Sequence, residues 1–138
     1  MTRVGVIQGD AALRQVVRLL LEDAGYAVVE AHDGLSGLAL LQGNMEPLVA
    51  VIDHRLPRLD GCDLLVLVVT DETLRQRHVY VFMTGDPRRP VDECGGTLDE
   101  LAVPLLPKPF HIDELVEAVH AAEQRLASLV ARPGDGPD

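Results

Sequence analysis

Six consecutive residues, Leu48-Val49-Ala50-Val51-Ile52-Asp53, carry no polar side chain until the last. A strand with one wet face alternates apolar and polar residues. A run that is apolar on both faces fits a central parallel strand covered by helices on each side. Parallel neighbours need long crossovers, so the rest of the chain has to supply strand–helix units. The pattern does so. "RVGVI" (3–7), "YAVVEA" (26–31), "VYVFM" (79–83) and "VPLL" (103–106) read as the other strands, the last of them suited to an edge by its proline. Between them, Leu13, Val16, Val17, Leu20, Leu21 and Ala24 recur at helical spacing, with Asp10 as a predicted N-cap and Gly25 as a stop. "DGLSGLALLQG" (33–43) gives a short second helix with Leu35, Leu38 and Leu40 or Leu41 on one side. "LLVLVV" (64–69) reads as helix, running on into "DETLRQR". Pro87, Pro90, Gly95 and Gly96 leave little uninterrupted helix before "TLDEL", and a long amphipathic helix starts at Ile112.

Five such units in sequence imply an α/β fold, a doubly wound five-stranded parallel sheet with helices on both faces. Right-handed crossovers bring the strand C-termini to one edge, where ligands bind. Gln8, Gly9, Asp10, Asp53, Thr84 and Lys108 should converge there.

The 138 residues suit one domain, expected over 1–131, with "RPGDGPD" (132–138) a disordered tail. Aromatic residues make up 3% and Trp is absent, so the core must be aliphatic. A formal charge of −10 argues against autonomous binding to nucleic acid or anionic lipid and for protein partners. The N-terminus lacks the apolar stretch of a signal peptide and no run reaches membrane-spanning length, so a cytoplasmic protein is expected. Cys62 and Cys94 are far apart without CxxC spacing; the sequence points to neither a zinc site nor a disulfide, and both read as small, reduced, partly buried side chains. His54, directly after Asp53, has two readings, a residue lining the pocket mouth and, favoured, a solvated loop histidine; His32, His78, His111 and His120 read as surface residues.

An acid at the end of a buried strand, a hydroxyl after the next and a lysine after the fifth suit phosphoryl transfer. The carboxylate can attack phosphorus, the hydroxyl can donate to a phosphoryl oxygen, and the ammonium can neutralise developing charge. The segments "VIDHRLPRLDG" (51–61), "EDAGYAVVEAHDGLSGL" (22–38), "FMTGD" (82–86) and "LPKPFHIDEL" (106–115) occur in this order. Over about residues 3–125 the sequence resembles the receiver domain of bacterial two-component response regulators. The resemblance implies a flavodoxin-like (βα)5 fold, Asp53 as phosphoacceptor, Thr84 as switch hydroxyl and Lys108 as the phosphate-contacting lysine. It also implies a sensor histidine kinase or phosphotransfer protein as donor, a downstream protein target, and a signalling rather than an enzymatic role.

Three departures from that family stand out. Receivers usually carry two adjacent acids after the first strand, which hold Mg²⁺ with the phosphoacceptor; here Gln8 and Gly9 take those positions. The aromatic residue three before the lysine is Leu105, and the family's fourth helix is interrupted. Mg²⁺ is hard and octahedral, usually held by one or two carboxylates with water and phosphate. With Asp53 as the only matching acid, metal has to compete with Lys108, whose raw attraction is about 4 kcal/mol at roughly 4 Å and an effective dielectric near 20. Losing about 4 kcal/mol of metal stabilisation slows a reaction on the order of a thousandfold. Asp10 admits two readings: turned inward by the flexible Gly9 it becomes a metal ligand beside Asp53, or it caps the first helix and faces solvent.

The sequence therefore supports two functions: a receiver phosphorylated on Asp53 with weakened Mg²⁺ binding, or a receiver-like module that signals by binding alone. A phosphatase or dehalogenase using Asp53 would want a second acid two residues on, where Arg55 stands.

Overall fold

The computed structural model describes residues 2–130. Five strands, β1 (Arg3–Ile7), β2 (Ala27–Ala31), β3 (Leu48–Asp53), β4 (Val79–Thr84) and β5 (Leu105–Pro107), form one parallel sheet in the order β2-β1-β3-β4-β5. Helices α1 (Ala11–Asp23), α2 (Gly34–Gly43), α3 (Gly61–Val69), α4 (Glu72–Arg77), α5 (Arg88–Glu100) and α6 (Ile112–Val130) occupy the crossovers and the C-terminal side. This is the doubly wound sheet expected from the apolar runs. The proposed tail at 132–138 lies outside the described residues.

Strand periodicity sorts the core into two layers. Ile7, Ala50, Ile52, Tyr80 and Phe82 pack with Leu41 of α2, Leu64, Leu65 and Val68 of α3, and Leu98 of α5. The alternate residues Val4, Val6, Val49, Val51, Val81 and Met83 pack with Val17 and Leu21 of α1 and with Leu115, Val119, Ala122 and Leu126 of α6. Every residue of β3 is buried, which is why its sequence carries no polar alternation. Val16 and Leu35, expected on buried helix faces, are exposed instead.

Helix boundaries follow local chemistry. The Asp10 carboxylate accepts from the backbone N–H groups of Ala12 and Leu13, and Asp33 caps α2 through Ser36 N–H. Thr70 Oγ1 donates back to the carbonyls of Val66 and Leu67, ending α3, and Asp71 then caps α4 at Leu74 N–H. Gly61 lets α3 start directly against β3: a Cβ there would stand 2.4 Å from the Asp53 carbonyl oxygen. The interrupted helix is real, since α5 leaves helical geometry at Cys94 (φ −146°, ψ 32°) and then resumes.

Two expectations fail. Cys62, near the start of α3, and Cys94, at the break in α5, are cross-linked with their Cα atoms 5.7 Å apart, not reduced and separate. The fold brings together residues 32 positions apart, which spacing along the chain does not reveal. His78 is no surface residue: it is 1% exposed, its Nδ1 accepts from Leu48 N–H and its Nε2–H donates to the Leu41 carbonyl. Burial holds its pKa below the usual histidine value.

Candidate functional site

The C-terminal edge of the sheet gathers three of the expected residues. Asp53 ends β3 and is 3% exposed, and Lys108 Nζ donates to its Oδ1 at 2.7 Å. Thr84 ends β4, one position beyond the Met83 that pairs with Asp53. The Lys108 backbone N–H donates to the Thr84 carbonyl at 2.7 Å, so the lysine is anchored to the strand that carries the hydroxyl. The Lys108–Pro109 peptide bond is cis. Thr84 and Lys108 line a cleft of about 370 Å³ together with His54, Arg55, Gly85, Asp86 and Arg89. At 2.7 Å and an effective dielectric near 20, the raw Lys108–Asp53 attraction is ~6 kcal/mol. Desolvation of both groups offsets most of it as stability, but it fixes where the ammonium sits.

The Thr84 hydroxyl donates to the Asp86 carbonyl at 3.0 Å and accepts from Asp86 N–H at 3.2 Å. It lies 3.5 Å from His54 Nδ1. His54 lines the cleft, as one of its two readings had it, and is not the solvated loop residue of the other. It is 2% exposed, inclined against the Phe82 ring with centroids 5.3 Å apart, and its Nε2 lies 2.7 Å from Glu93 Oε2 and 3.7 Å from Asp60 Oδ2. Asp60 stands at the N-cap position of α3 without a side-chain cap bond and faces His54.

The first βα junction is built differently from the edge acids. Gln8 is 1% exposed; its Oε1 accepts from Asp10 N–H, and its Nε2 has no hydrogen-bond partner among the described residues. Gly9 sits against Pro57, where a Cβ would come within 2.9 Å of the proline Cδ. Asp10 is exposed and its carboxylate is engaged in capping α1. Asp53 is therefore the one carboxylate at these matched positions, and it lies buried under the cleft, paired with the Lys108 that lines it. Sequence reasoning missed Arg55 and Arg89 as cleft-lining residues and Glu93 as the partner of His54, for which no local pattern gave a signal.

Residues 4–120 match the family described as the response regulator receiver domain. The chain belongs to that family. As a receiver it is 34% identical over 137 residues to response regulator MprA of Mycobacterium sp. strain KMS, covering 99% of this chain and 54% of the relative. It is 33% identical over 125 residues to the DNA-binding dual master transcriptional regulator RpaA of Synechocystis, covering 91% of this chain and 50% of that protein. The receiver thus spans about half the length of these relatives. Its fold is similar to that of a response regulator receiver domain protein from Clostridium thermocellum, with a TM-score of 0.80 and 25% identity over 94% of this chain and 99% of that one. In a receiver, Leu105 takes the place of the usual aromatic residue; it is half-buried at the edge of the α2–α5 core layer. Among the described residues no helix is long and apolar enough to cross a membrane.

Proposed function

We propose that this receiver takes a phosphoryl group onto Asp53 from a histidine kinase or phosphotransfer protein and signals through contacts with a downstream protein. The single observation that carries the reading is the ion pair of Lys108 Nζ with Asp53 Oδ1 at 2.7 Å, beneath a cleft lined by Thr84. An Asp53 oxygen attacks phosphorus while the bond to the donor imidazole breaks, and the lysine neutralises charge on the transferred group. Arg55 and Arg89 flank the same cleft and favour a dianionic guest. The net charge of −10 supports protein rather than nucleic-acid partners for the receiver itself, and a cytoplasmic location suits a kinase-fed module.

Receivers commonly use Mg²⁺ to offset charge during this transfer. The residues present fit it poorly. Gln8 offers a neutral amide, Gly9 offers no side chain, Asp10 is turned to its cap, and Asp53 is already paired. Weak Mg²⁺ binding and slow phosphorylation follow, and Asp10 enters the metal set only by abandoning α1. The same features, with Leu105, support a second reading in which the receiver acts by binding alone.

Intact-mass measurement after incubation with a small acyl-phosphate donor, with and without Mg²⁺, tests the proposal. The expected result is a gain of one phosphoryl group that Asp53→Asn abolishes and that added Mg²⁺ accelerates little. No gain, even with a cognate kinase, leaves only the binding module.

A further inference from the structure

Beside the phosphoacceptor cleft, and sharing only His54 with its lining, three elements converge on a second cluster. His54 follows β3, Cys62 lies in the first turn of α3, and Glu93 and Cys94 lie at the break in α5. A nitrogen of His54, the sulfur of Cys62 and a carboxylate oxygen of Glu93 all lie within 4.8 Å of one another. The Cys94 sulfur is bonded to that of Cys62. Successive residues of a regular helix point about 100° apart. The non-helical backbone at Cys94 (φ −146°, ψ 32°) breaks that spacing, so that the Cys94 sulfur meets Cys62 while the neighbouring Glu93 carboxylate reaches His54.

We propose that the reduced protein binds one Zn²⁺ through Cys62, Cys94, His54 and Glu93, and that the Cys62–Cys94 disulfide is the metal-free, oxidised form of this site. Two thiolates, one imidazole and one carboxylate form a donor set of the kind that holds tetrahedral Zn²⁺. A thiolate-bearing pair is what separates this cluster from an ordinary acidic patch, and it selects zinc over Mg²⁺. His54, Cys62 and Cys94 are 2%, 4% and 6% exposed, so water competes little at three of the four donors. Glu93 closes the solvent side.

The surroundings suit a metal-binding imidazole. Thr84 Oγ1 spends its own proton on the Asp86 carbonyl, so toward His54 Nδ1 it can only accept. That favours Nδ1–H and leaves the Nε2 lone pair for the metal, the outer hydrogen bond usual for a ligating histidine. Without metal, a proton has to bridge Nε2 and Glu93 Oε2 at 2.7 Å. Two Zn bonds of about 2.0 Å at a tetrahedral angle set such a pair roughly 3.3 Å apart, a small adjustment.

The redox step balances with an external dithiol. The dithiol gives two electrons and two protons to the Cys62–Cys94 bond, which opens to two thiols, and leaves as its own disulfide. Zn²⁺ then displaces both thiol protons and the proton held between Nε2 and Glu93 Oε2, all three going to solvent, and the imidazole keeps its proton on Nδ1.

The test uses the full 138-residue chain. Protein reduced with a dithiol, freed of reductant under anaerobic conditions and titrated with Zn²⁺ should take up one equivalent. Co²⁺ in its place should give the thiolate charge-transfer bands and intense visible bands of a tetrahedral site. Cys94→Ser should abolish both signatures. Glu93→Gln, a half-exposed change that leaves the fold intact, should weaken zinc binding at least about tenfold. The oxidised protein should take up none. Absence of stoichiometric uptake by the reduced chain, uptake unchanged in both variants, or equal uptake after oxidation would overturn the proposal.

Discussion

Gln8 is buried, and its amide nitrogen has no hydrogen-bond partner among the described residues. Gln8→Glu keeps the shape and restores one negative charge to the matched metal position. We expect this variant to bind Mg²⁺ on the order of tenfold more tightly, because ligand charge sets affinity at oxygen sites. A Mg²⁺ titration of the acyl-phosphate reaction would read it; unchanged dependence would show that the missing acid is not what limits the receiver. The neighbouring position is closed to the same repair by Pro57. At this scale the sequence was legible where chemistry is local. Asp53, Thr84 and Lys108 could be placed because each ends or follows a recognisable strand. The burial of His54 and His78 was not legible, because a polar side chain is buried only when distant partners satisfy it, and Leu41 lies 37 residues from His78.

Among the elements, α1 gives the cleanest separation of the two readings of Asp10. Its carboxylate accepts from Ala12 and Leu13 N–H groups, so Asp10→Ala should cost about 1 kcal/mol of stability in a denaturant titration. The Mg²⁺ response of phosphorylation should stay as it was. A lost metal response with unchanged stability would instead place Asp10 among the metal ligands. Helices α1 and α6 were readable from their helical period and the strands from their short apolar runs. By contrast α3, apolar without a break, was read as helix from its position between strands, and its expected run into 71–77 is interrupted at Thr70 before α4 starts anew. For α5 the prolines and glycines announced an interruption, but not that Cys94 would mark it. Nor did they show that the break would meet α3: that contact depends on how the crossover helices pack, which no local pattern encodes.

For the whole molecule, His78 ties the start of β4 to β3 and to the end of α2. Its pKa is lowered in the folded state, chiefly by desolvation, so the unfolded chain binds the proton more tightly. The sign follows: this contribution to stability is fully present above the ordinary value of 6.5 and is lost as pH falls below it toward the folded pKa. The thermal midpoint should drop between pH 8 and pH 5.5. In His78→Gln it should start lower, since buried partners lose their bonds, and fall less steeply over the same interval. An equally steep fall in the variant would assign the effect to other groups. The five-unit plan was visible from β3 outward, because a strand buried on both sides demands parallel neighbours.

At the far side of that plan, β5 is only three residues long and pairs with β4 alone. Pro104, just before it, and Pro107, its last residue, have no amide hydrogen to offer. A polypeptide approaching from outside therefore finds almost no ladder to extend. This margin of the sheet should resist seeding fibrils even when the protein is concentrated.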